Sequence, residues 1–373
     1  MDELKFESEL IQYITHGTIT HSRNDVNSCE QLDDPDVSNY ITKSKLWKYE
    51  PSIRTTDALW NNFKAILEQH NQSTLDRPLS VVEFNQVKKI ISDLKTPYQA
   101  GQFLYGLNGV SQIEIDLDDG RHVFLTVFDQ KKVGAGDTVY QIRRPAVITG
   151  RPDRRFDTTL LINGLPIIQI EEKRDTHDVN EALNQMHQYI TENQYHDIYS
   201  TLQILVAITP NNVKYMANTT ADKFNKDFAF NWQRKDDNSI VRNWKEFADS
   251  MLSIPMAHQM ATNYMILDGT KNKQMLKVMR PYQVYATQNV INKLKTIDFD
   301  SGKNKIGYIW HTTGSGKTIT SFKTAWLASR MPKIDKVVFV VDRIALTRQT
   351  FENYKAYDPD AIDESLGSVQ DTK

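Results

Sequence analysis

The spacing of hydrophobic positions changes along the chain, and each change predicts a different kind of secondary structure. Near the N-terminus, ESELIQYI and the segment TTDALWNNFKAILEQHN from Thr55 carry apolar side chains at helical spacing. Two alternating segments, IEIDL and RHVFLTVFD, then flank Asp118-Asp119-Gly120 and predict a β-hairpin. A second apolar pair, FDTTLLI and LPIIQIEEK, precedes the predicted helix VNEALNQMHQYITEN and the strand-sized run LQILVAIT. Strands with an interposed helix indicate an α/β fold.

From Arg280 onward the pattern becomes helix, short apolar run, Gly-rich loop, helix and a second apolar run, KVVFVV. This order predicts the opening of a parallel, RecA-like sheet with about its first two strands. Between the two patterns, the polar sequence LDGTKNKQ is typical of a connection. We therefore predict one domain over residues 1–261, a connecting segment over 262–279, and the first part of a second domain over 280–373.

The Gly-rich loop HTTGSGKT, residues 311–318, has the residue types that phosphate binding requires. Gly314 and Gly316 allow backbone N–H groups to turn towards phosphates, and Lys317 can reach the terminal ones. The Thr318 hydroxyl can bind Mg²⁺. His311 stands where the common form of this loop has its first glycine, but the strand, loop and helix order is retained. A Gly-rich turn without a ligand is the weaker alternative, so the loop predicts nucleoside triphosphate binding.

A second group of reactive residue types is Asp157, Glu171 and Lys173, in the order Asp, a gap, then Glu-x-Lys at the end of an apolar strand. Carboxylates that hold a hard divalent cation can activate water and polarise a phosphodiester. A nearby lysine can orient that water or offset negative charge. Strand alternation places Glu171 and Lys173 on one face. The pattern therefore indicates phosphodiester hydrolysis.

The loop between the two strands decides whether these residues meet. A two-residue turn would put Asp157 and Glu171 on opposite faces, whereas a three-residue loop pairs Ile162 with Pro166 and brings Asp157 opposite Glu171. The three-residue loop also leaves an apolar reverse face, so we predict it. In this register Glu172 points the other way and should tolerate replacement by alanine far better than Glu171.

A lone Asp…Glu-x-Lys pattern is more often a half-buried hairpin with surface charges, but its neighbours favour a site. Five nearby arginines can form a positively charged surface for a phosphate backbone: Arg143, Arg144, Arg151, Arg154 and Arg155. The alternative is that they form an ordinary solvated run of charge. On the next predicted helix, Gln185 and Tyr189 lie four residues apart and share a face, which is also common at an ordinary helix edge. The phosphate-binding loop on the same chain adds weight to the nuclease interpretation.

Composition limits the classes of protein that the chain can belong to. Its 373 residues carry a net charge of −2, so any contact with nucleic acid must come from local basic patches. The single cysteine, Cys29, excludes an internal disulfide framework and fits a reducing, cytoplasmic environment. The charged start MDELKFESEL lacks the apolar core of a signal peptide, and no apolar run reaches membrane-spanning length. We therefore expect a globular, cytoplasmic protein without membrane contact.

Taken together, these residues resemble the restriction subunit, the motor and nuclease component, of type I restriction–modification enzymes. The matching segments run over nearly the whole chain: FDTTLLINGLPIIQIEEK, the Gln185-x-x-x-Tyr189 pair, YMANTT from Tyr215, RPYQ from Arg280, YIWHTTGSGKT and VVDRIALTRQ from Val340. The resemblance implies that residues 1–261 form a PD-(D/E)xK endonuclease domain with the catalytic residues Asp157, Glu171 and Lys173, the first two of which bind the metal. It also implies that a first-helix glutamate, Glu7 or Glu9, supports the site and that Gln185 and Tyr189 bind DNA near the cut. From the basic segment before the hairpin, we predict Arg154 and Arg155 as further DNA-binding residues.

The same resemblance assigns residues 280–373 to superfamily 2 helicase-like translocases. RPYQ is similar to the motif that reads adenine, and the implied ATP and Mg²⁺ site comprises Arg280, Gln283, Thr313, Gly314, Ser315, Gly316, Lys317 and Thr318, with Thr318 on the metal. DRIALTRQ is similar to a motif that helps to track a DNA strand. The acidic Mg²⁺ motif, the second RecA-like lobe and its arginine finger are missing from these residues. We therefore expect this chain alone to bind ATP weakly and not to hydrolyse it.

The activity that the resemblance implies is ATP-dependent translocation on duplex DNA with Mg²⁺-dependent cleavage of unmodified sites. The implied partners are a specificity subunit and a modification (methyltransferase) subunit, which would be the one that uses S-adenosylmethionine. The nuclease-first order argues for type I, because type III motors place the nuclease after the helicase. Two alternatives stay open: a stand-alone DNA repair helicase–nuclease, distinguished by the absence of a co-purifying methyltransferase, and a non-catalytic ATP- and DNA-binding fragment that regulates a longer subunit.

Overall fold

The structure, a computed structural model, describes residues 3–16, 46–106, 109–130, 132, 137–144, 147–148, 151–298, 307–340 and 344–359. For 147–148, 151–155 and 344–346 it describes the backbone alone. Cys29 lies outside the described residues. None of the helices in these ranges combines the length and the apolar character needed to cross a bilayer.

The α-helices confirm the predicted helical start of the chain. Three of them begin with capping boxes, in which two side chains satisfy each other's backbone N–H groups: Ser80 with Glu83, Thr96 with Gln99, and Asp178 with Glu181. In chain order the helices are α1 (Glu3–His16), α2 (Thr56–His70), α3 (Val81–Ser92), α4 (Pro97–Tyr105), α5 (Val179–Thr191), α6 (Trp244–Phe247), α7 (Met256–Ala261), α8 (Pro281–Thr296), α9 (Lys317–Ala328) and α10 (Ile344–Tyr357).

The strands of the described ranges form one large sheet and three small hairpins. They are β1 (Lys48–Tyr49), β2 (Val110–Asp116), β3 (His122–Asp129), β4 (Tyr140–Arg143), β5 (Val147–Ile148), β6 (Arg151–Arg155), β7 (Thr159–Ile162), β8 (Leu165–Glu172), β9 (Ile204–Thr209), β10 (Asn212–Ala217), β11 (Met265–Asp268) and β12 (Met275–Val278). The large sheet has the order β1-β4-β7-β8-β9-β10. β8 pairs antiparallel with β7 and parallel with β9, and α5 lies in the crossover between β8 and β9. The fold is thus mixed α/β, as predicted.

Both faces of the central strand β8 are covered, since every residue from Leu165 to Glu172 is buried. On one face, α5 packs against Leu205 and Ala207 of β9. The alternate residues of β9, including Val206, belong to the larger core, to which α1 and α2 contribute Phe6 and Phe63. A strand buried on both faces reads as a continuous apolar run, which explains why its two carboxylates stand out.

The turn between β7 and β8 is tighter than we predicted. Asn163-Gly164 has left-handed backbone, with φ of 52° and 78°, and Ile162 pairs with Leu165, so the loop has two residues instead of three. A β-bulge directly after the turn then shifts the ladder by one residue, and Thr159 pairs with Gln169. The predicted loop length is wrong, but the bulge restores the register that the longer loop would have produced at the far end of the hairpin.

The segment predicted as a connection, 262–279, contains the folded hairpin of β11 and β12. It lies between the two parts of the chain and bonds to both. The Gly269 N–H donates to the Ala356 carbonyl in α10 at 2.8 Å, and the Tyr215 hydroxyl of β10 donates to the Met279 carbonyl at 2.9 Å. This stretch is therefore a structural element in its own right.

The two apolar runs predicted as strands of the second sheet do not pair with any described strand. Their side chains are largely exposed, with Trp310 at 87% and Val340 at 85%. A parallel strand needs neighbours that bind its N–H and C=O groups and cover its side chains, and none of the described segments does this. The prediction of two paired strands is wrong for this structure, whereas the helix after the loop, α9, is confirmed.

Candidate functional site

Asp157 and Glu171 are brought together where the hairpin of β7 and β8 ends. The Glu172 N–H donates to Asp157 Oδ2 at 2.8 Å, which fixes the Asp157 side chain against β8. One step back along the same face, the Thr159 hydroxyl donates to Gln169 Oε1 at 2.8 Å. The corrected turn and its bulge therefore still place Asp157 beside Glu171 on one face of the sheet.

This carboxylate pair is costly to ionise. Glu171 is fully buried, while Asp157 keeps partial exposure. Burial raises the pKa of Asp157 to about 6, although the Glu172 N–H and the charge of Lys173 lower it. Burial, followed by the Asp157 charge, raises the pKa of Glu171 well above its ordinary value. A cation between the two carboxylates would offset this cost.

The Lys173 ammonium is the third member of the group. Its Nζ donates to Glu171 Oε1 at 3.3 Å, to the Glu172 carbonyl at 3.0 Å and to Glu3 Oε1 of α1 at 3.0 Å. Burial disfavours the charged ammonium, but the charges of Glu171 and Asp157 outweigh burial and raise the pKa of Lys173. The side chain is 13% exposed, so a positive charge stands at the opening of the site.

Glu172 is a second buried carboxylate at the end of β8. Strand alternation directs its side chain away from the Lys173 face, and it is fully buried. Apart from the neighbouring Thr158 hydroxyl, the described part of the chain offers no hydrogen-bond donor to its carboxyl oxygens. Burial, followed by the charges of Asp157 and Glu7, raises the pKa of Glu172 well above its ordinary value. Of the two glutamates named from the sequence, Glu7 and Glu9, it is Glu7 whose charge acts on Glu172, and a third glutamate of the same helix, Glu3, accepts from Lys173.

The predicted basic approach is only partly present among the described side chains. Arg143 is fully buried, bonds to the Tyr199 hydroxyl and lies over its ring at 5.7 Å. Contact of Arg143 with a DNA backbone is therefore a wrong prediction, since the sheet encloses this residue. Arg144 Nη2 donates to Glu7 Oε2 at 3.2 Å and to Ser8 Oγ at 2.7 Å, which holds α1 against the sheet. The side chains of the other three lie outside the described part: Arg151, Arg154 and Arg155.

An aromatic wall borders the carboxylate pair. Gln185 and Tyr189 share one face of α5 as predicted, and Gln185 Nε2 donates to the Tyr189 hydroxyl at 2.7 Å. The Tyr189 ring packs edge-on against Phe156, the residue before Asp157, at 5.2 Å. Tyr195, which the sequence did not single out, packs against Phe156 at 5.3 Å and Tyr189 at 6.1 Å. Tyr195 follows the helix and belongs to no periodic pattern, so its place in this wall could not be predicted from the sequence.

The donor set fits a hard divalent cation that keeps part of its own oxygen shell. Apart from the neighbouring Asp157 carboxyl, Glu171 Oε2 is buried without a hydrogen-bond partner among the described residues. Those residues contain no cluster of three or more His, Cys, Asp or Glu side chains that could hold a metal ion. Mg²⁺ usually binds only one or two protein carboxylates and takes its other ligands from water and phosphate. Two carboxylates are therefore sufficient.

The phosphate-binding loop has the backbone that its sequence predicts. Gly314 and Gly316 have φ of 76° and 80°, and α9 begins directly after them at Lys317. Gly316 has a positive φ that disfavours any other residue, and a side chain there would also displace the amide of Gln283. Lys317 is exposed, and its Nζ donates to the Thr312 carbonyl at 3.0 Å. The helix N-terminus and this ammonium are thus open to an anionic ligand.

Gln283 and Arg280 lie directly behind this loop. Gln283 Oε1 accepts from the Arg280 N–H at 2.9 Å, and its Nε2 donates to the Ser315 carbonyl at 3.0 Å. The Arg280 guanidinium lies over the Phe230 ring at 4.5 Å. Both amide atoms of Gln283 are therefore engaged with protein, and a contact with adenine requires these bonds to open. Of the two threonines predicted for the ATP site, Thr313 is exposed and Thr318 is half-buried.

The fold and these side chains define a class of protein: an α/β domain with a buried carboxylate–lysine centre, followed by a segment with a Gly-rich loop at the start of a helix. Two family models match the chain accordingly. One, described as Type I restriction enzyme R protein N terminus, matches residues 36–224. The other, described as Type III restriction enzyme, res subunit, matches residues 276–373. Because the first match covers half of the chain, the protein belongs to the type I restriction enzyme R (endonuclease) subunit family.

Relatives of known family have similar sequences. The chain is 32% identical over 320 residues to the type I restriction enzyme SauMSSORF170P endonuclease subunit of Staphylococcus aureus (strain MSSA476), covering 86% of this chain and 32% of the relative. It is 33% identical over 196 residues to the EcoprrI endonuclease subunit of Escherichia coli, covering 52% and 61%. The chain thus spans about a third of the length of the first relative.

Proposed function

We propose that Asp157, Glu171 and Lys173 form a metal-dependent nuclease centre of the PD-(D/E)xK type that cleaves duplex DNA. The observation that carries this proposal is the buried carboxylate pair with the Lys173 ammonium 3.3 Å from Glu171 Oε1. Such a pair is unfavourable without a cation, and unfavourable charge arrangements concentrate at functional sites. A purely structural hairpin would gain stability from apolar residues at these positions.

Each residue of the chain has a distinct task in this proposal. Asp157 and Glu171 hold Mg²⁺, which when bound polarises the phosphodiester and supplies an activated water. Lys173 keeps its proton beside the carboxylates and stabilises the negative charge that develops on the phosphate. Half-buried Gln185 contacts the DNA strand, while Tyr189 accepts the Gln185 amide N–H and holds it in place. Tyr189 is itself buried, so the predicted direct contact of its side chain with DNA is not part of the proposal. Arg154 and Arg155, which belong to β6, are the arginines that we assign to contact with the duplex.

Crystals of the protein soaked in Mn²⁺ test the metal site, because Mn²⁺ shares the oxygen preference of Mg²⁺ and scatters anomalously. The proposal predicts an anomalous peak between the Asp157 and Glu171 carboxyl groups. Crystals of Asp157→Asn provide the matched control and should lack the peak. A peak at another place in wild-type crystals, with none at this pair, contradicts the proposal.

We also propose that residues 280–373 bind ATP with Mg²⁺ as part of a DNA-translocating motor. Lys317 then leaves the Thr312 carbonyl for the phosphates, Gly314 and Gly316 supply N–H groups, and Thr318 ligates the cation. The support is the exposed loop at the start of α9. Nucleotide binding measured with a fluorescent ATP analogue should be weak for this chain and lost in Lys317→Ala. Robust DNA-stimulated ATP hydrolysis by these 373 residues alone would contradict the expectation that a second lobe is needed.

The partners follow from the family and are part of the proposal. They are duplex DNA, a specificity subunit, and a modification subunit that carries S-adenosylmethionine. Purification of the protein from its native source under gentle conditions should yield a complex with DNA methyltransferase activity. Recovery of DNA cleavage without any associated methyltransferase would instead favour the stand-alone repair helicase–nuclease.

A further inference from the structure

Tyr195 presents an unused hydrogen-bond donor beside the carboxylate pair. Its ring is held by edge contacts with Phe156 at 5.3 Å and with Tyr189 at 6.1 Å. Its hydroxyl is buried and has no hydrogen-bond partner among the described residues. Buried hydroxyl groups are nearly always paired, because leaving one unpaired costs free energy. The buried Tyr195 hydroxyl therefore needs a hydrogen-bond partner that the described residues do not supply in this structure.

The other tyrosines of this wall differ from Tyr195 in this respect. The Tyr189 hydroxyl accepts from Gln185 at 2.7 Å, and the Tyr199 hydroxyl is bonded to Arg143. Of the three hydroxyl groups, only that of Tyr195 has no partner among the described residues. The missing hydrogen bond therefore distinguishes Tyr195 from the other two tyrosines.

The Tyr195 ring lies against Phe156, the residue directly before Asp157 of the proposed nuclease centre. Burial, followed by the charge of Glu171 and then those of Tyr189 and Asp157, raises the pKa of Tyr195 well above its ordinary value. Glu171 has an unused acceptor in turn, since Lys173 binds its Oε1 and the Oε2 atom faces only the Asp157 carboxyl. An unused donor thus lies on a ring that packs against the residue before Asp157, and an unused acceptor lies on Glu171, whose carboxyl neighbours that of Asp157.

We propose that Tyr195 is a positioning residue of the nuclease centre, whose hydroxyl donates a hydrogen bond to the Glu171 carboxylate when a divalent cation is bound. Donors behind a metal-binding carboxylate fix its orientation, and their removal typically weakens metal binding by about 10- to 100-fold. The inference rests on the proposed function, because it requires Asp157 and Glu171 to hold the cation.

Calorimetric titration of the purified protein with Mn²⁺ tests this role, with Tyr195→Phe as the variant and Tyr199→Phe as the matched control. Tyr195→Phe should weaken the binding of Mn²⁺ by about 10- to 100-fold. Its melting temperature should be unchanged, since no bond within the apo protein is lost. Tyr199→Phe removes a hydroxyl that is bonded to Arg143, so it should lower the melting temperature and leave Mn²⁺ affinity unchanged.

An Asp157→Asn titration separates the two levels of the proposal. If wild-type binding depends on Asp157 and Tyr195→Phe binds Mn²⁺ as wild type does, the role of Tyr195 is overturned and the nuclease centre stands. If Tyr195→Phe and Tyr199→Phe weaken Mn²⁺ binding equally, the role of Tyr195 is also overturned, because the tyrosines then act only through packing. If wild-type protein shows no Asp157-dependent binding, both the proposed function and this inference fail.

Discussion

Asp157→Asn should stabilise the metal-free protein at pH 8, although it removes a residue of the proposed catalytic centre. The folded-state pKa of Asp157 is about 6, against an ordinary value of 3.8. At 1.36 kcal/mol per pKa unit, this shift corresponds to roughly 3 kcal/mol. Because the folded-state pKa is the higher one, the associated stability is fully present below about pH 4 and is lost as the pH rises through about 6. Asparagine cannot ionise, and its amide oxygen can still accept the Glu172 N–H.

Urea denaturation at pH 8 and pH 4 in the absence of divalent ions measures this effect. We expect Asp157→Asn to raise the free energy of unfolding by about 1–3 kcal/mol at pH 8 and to leave it unchanged at pH 4. The gain at pH 8 is less than the full shift because neighbouring carboxyl groups share the cost of ionisation. Mn²⁺ should narrow the difference by stabilising only the wild type. Asp227→Asn, on an exposed turn, is the matched control and should behave as wild type at both pH values. Equal or lower stability of Asp157→Asn at pH 8 would refute the reasoning.

Two further predictions concern the hairpin that carries the site. Gly164→Ala should destabilise the protein by about 2–4 kcal/mol in urea denaturation, because φ is 78° and a Cβ would lie 2.9 Å from the Phe63 backbone. Gly120→Ala, with φ of 85° but open space around it, should cost only about 1–2 kcal/mol, and equal losses would refute the clash. Glu172→Leu should raise the free energy of unfolding at pH 8 by about 1–3 kcal/mol, since it replaces a buried carboxylate by an apolar side chain. A lower free energy of unfolding would show that the Glu172 carboxylate makes favourable interactions in the folded protein.

Local patterns predicted much of the first domain correctly. The helices α1, α2 and α5 and the β2–β3 and β7–β8 hairpins follow from periodicity and turn residues that neighbours in the chain determine. The convergence of Asp157 with Glu171 was predicted for a wrong reason. Alternation alone shows no bulge, and a bulge combined with a tight turn has the same effect on the distant register as a longer loop.

Burial across the fold is what the sequence could not show. Arg143 is enclosed because β4 lies inside the sheet, and Glu172 is enclosed because α1 packs over the strand end. Neither neighbour is close in sequence. Tyr195 joined the site for the same reason, through ring contacts with residues of other elements. The unpaired apolar runs after Arg280 show the converse limit, since a strand pattern becomes a strand only when partners bind its edges.

A paired assay of DNA nicking and ATP turnover tests the central claim most directly. The assay uses the complete subunit assembled with its partners, and the subunit carries one of three substitutions: Asp157→Ala, Glu171→Ala or Lys173→Ala. The account predicts that each substitution abolishes nicking in Mg²⁺, because the two carboxylates hold the cation and Lys173 supports the developing charge. ATP turnover should stay at the wild-type level, since the phosphate-binding loop begins at His311, outside this centre. Wild-type nicking by any of the three variants would contradict the account.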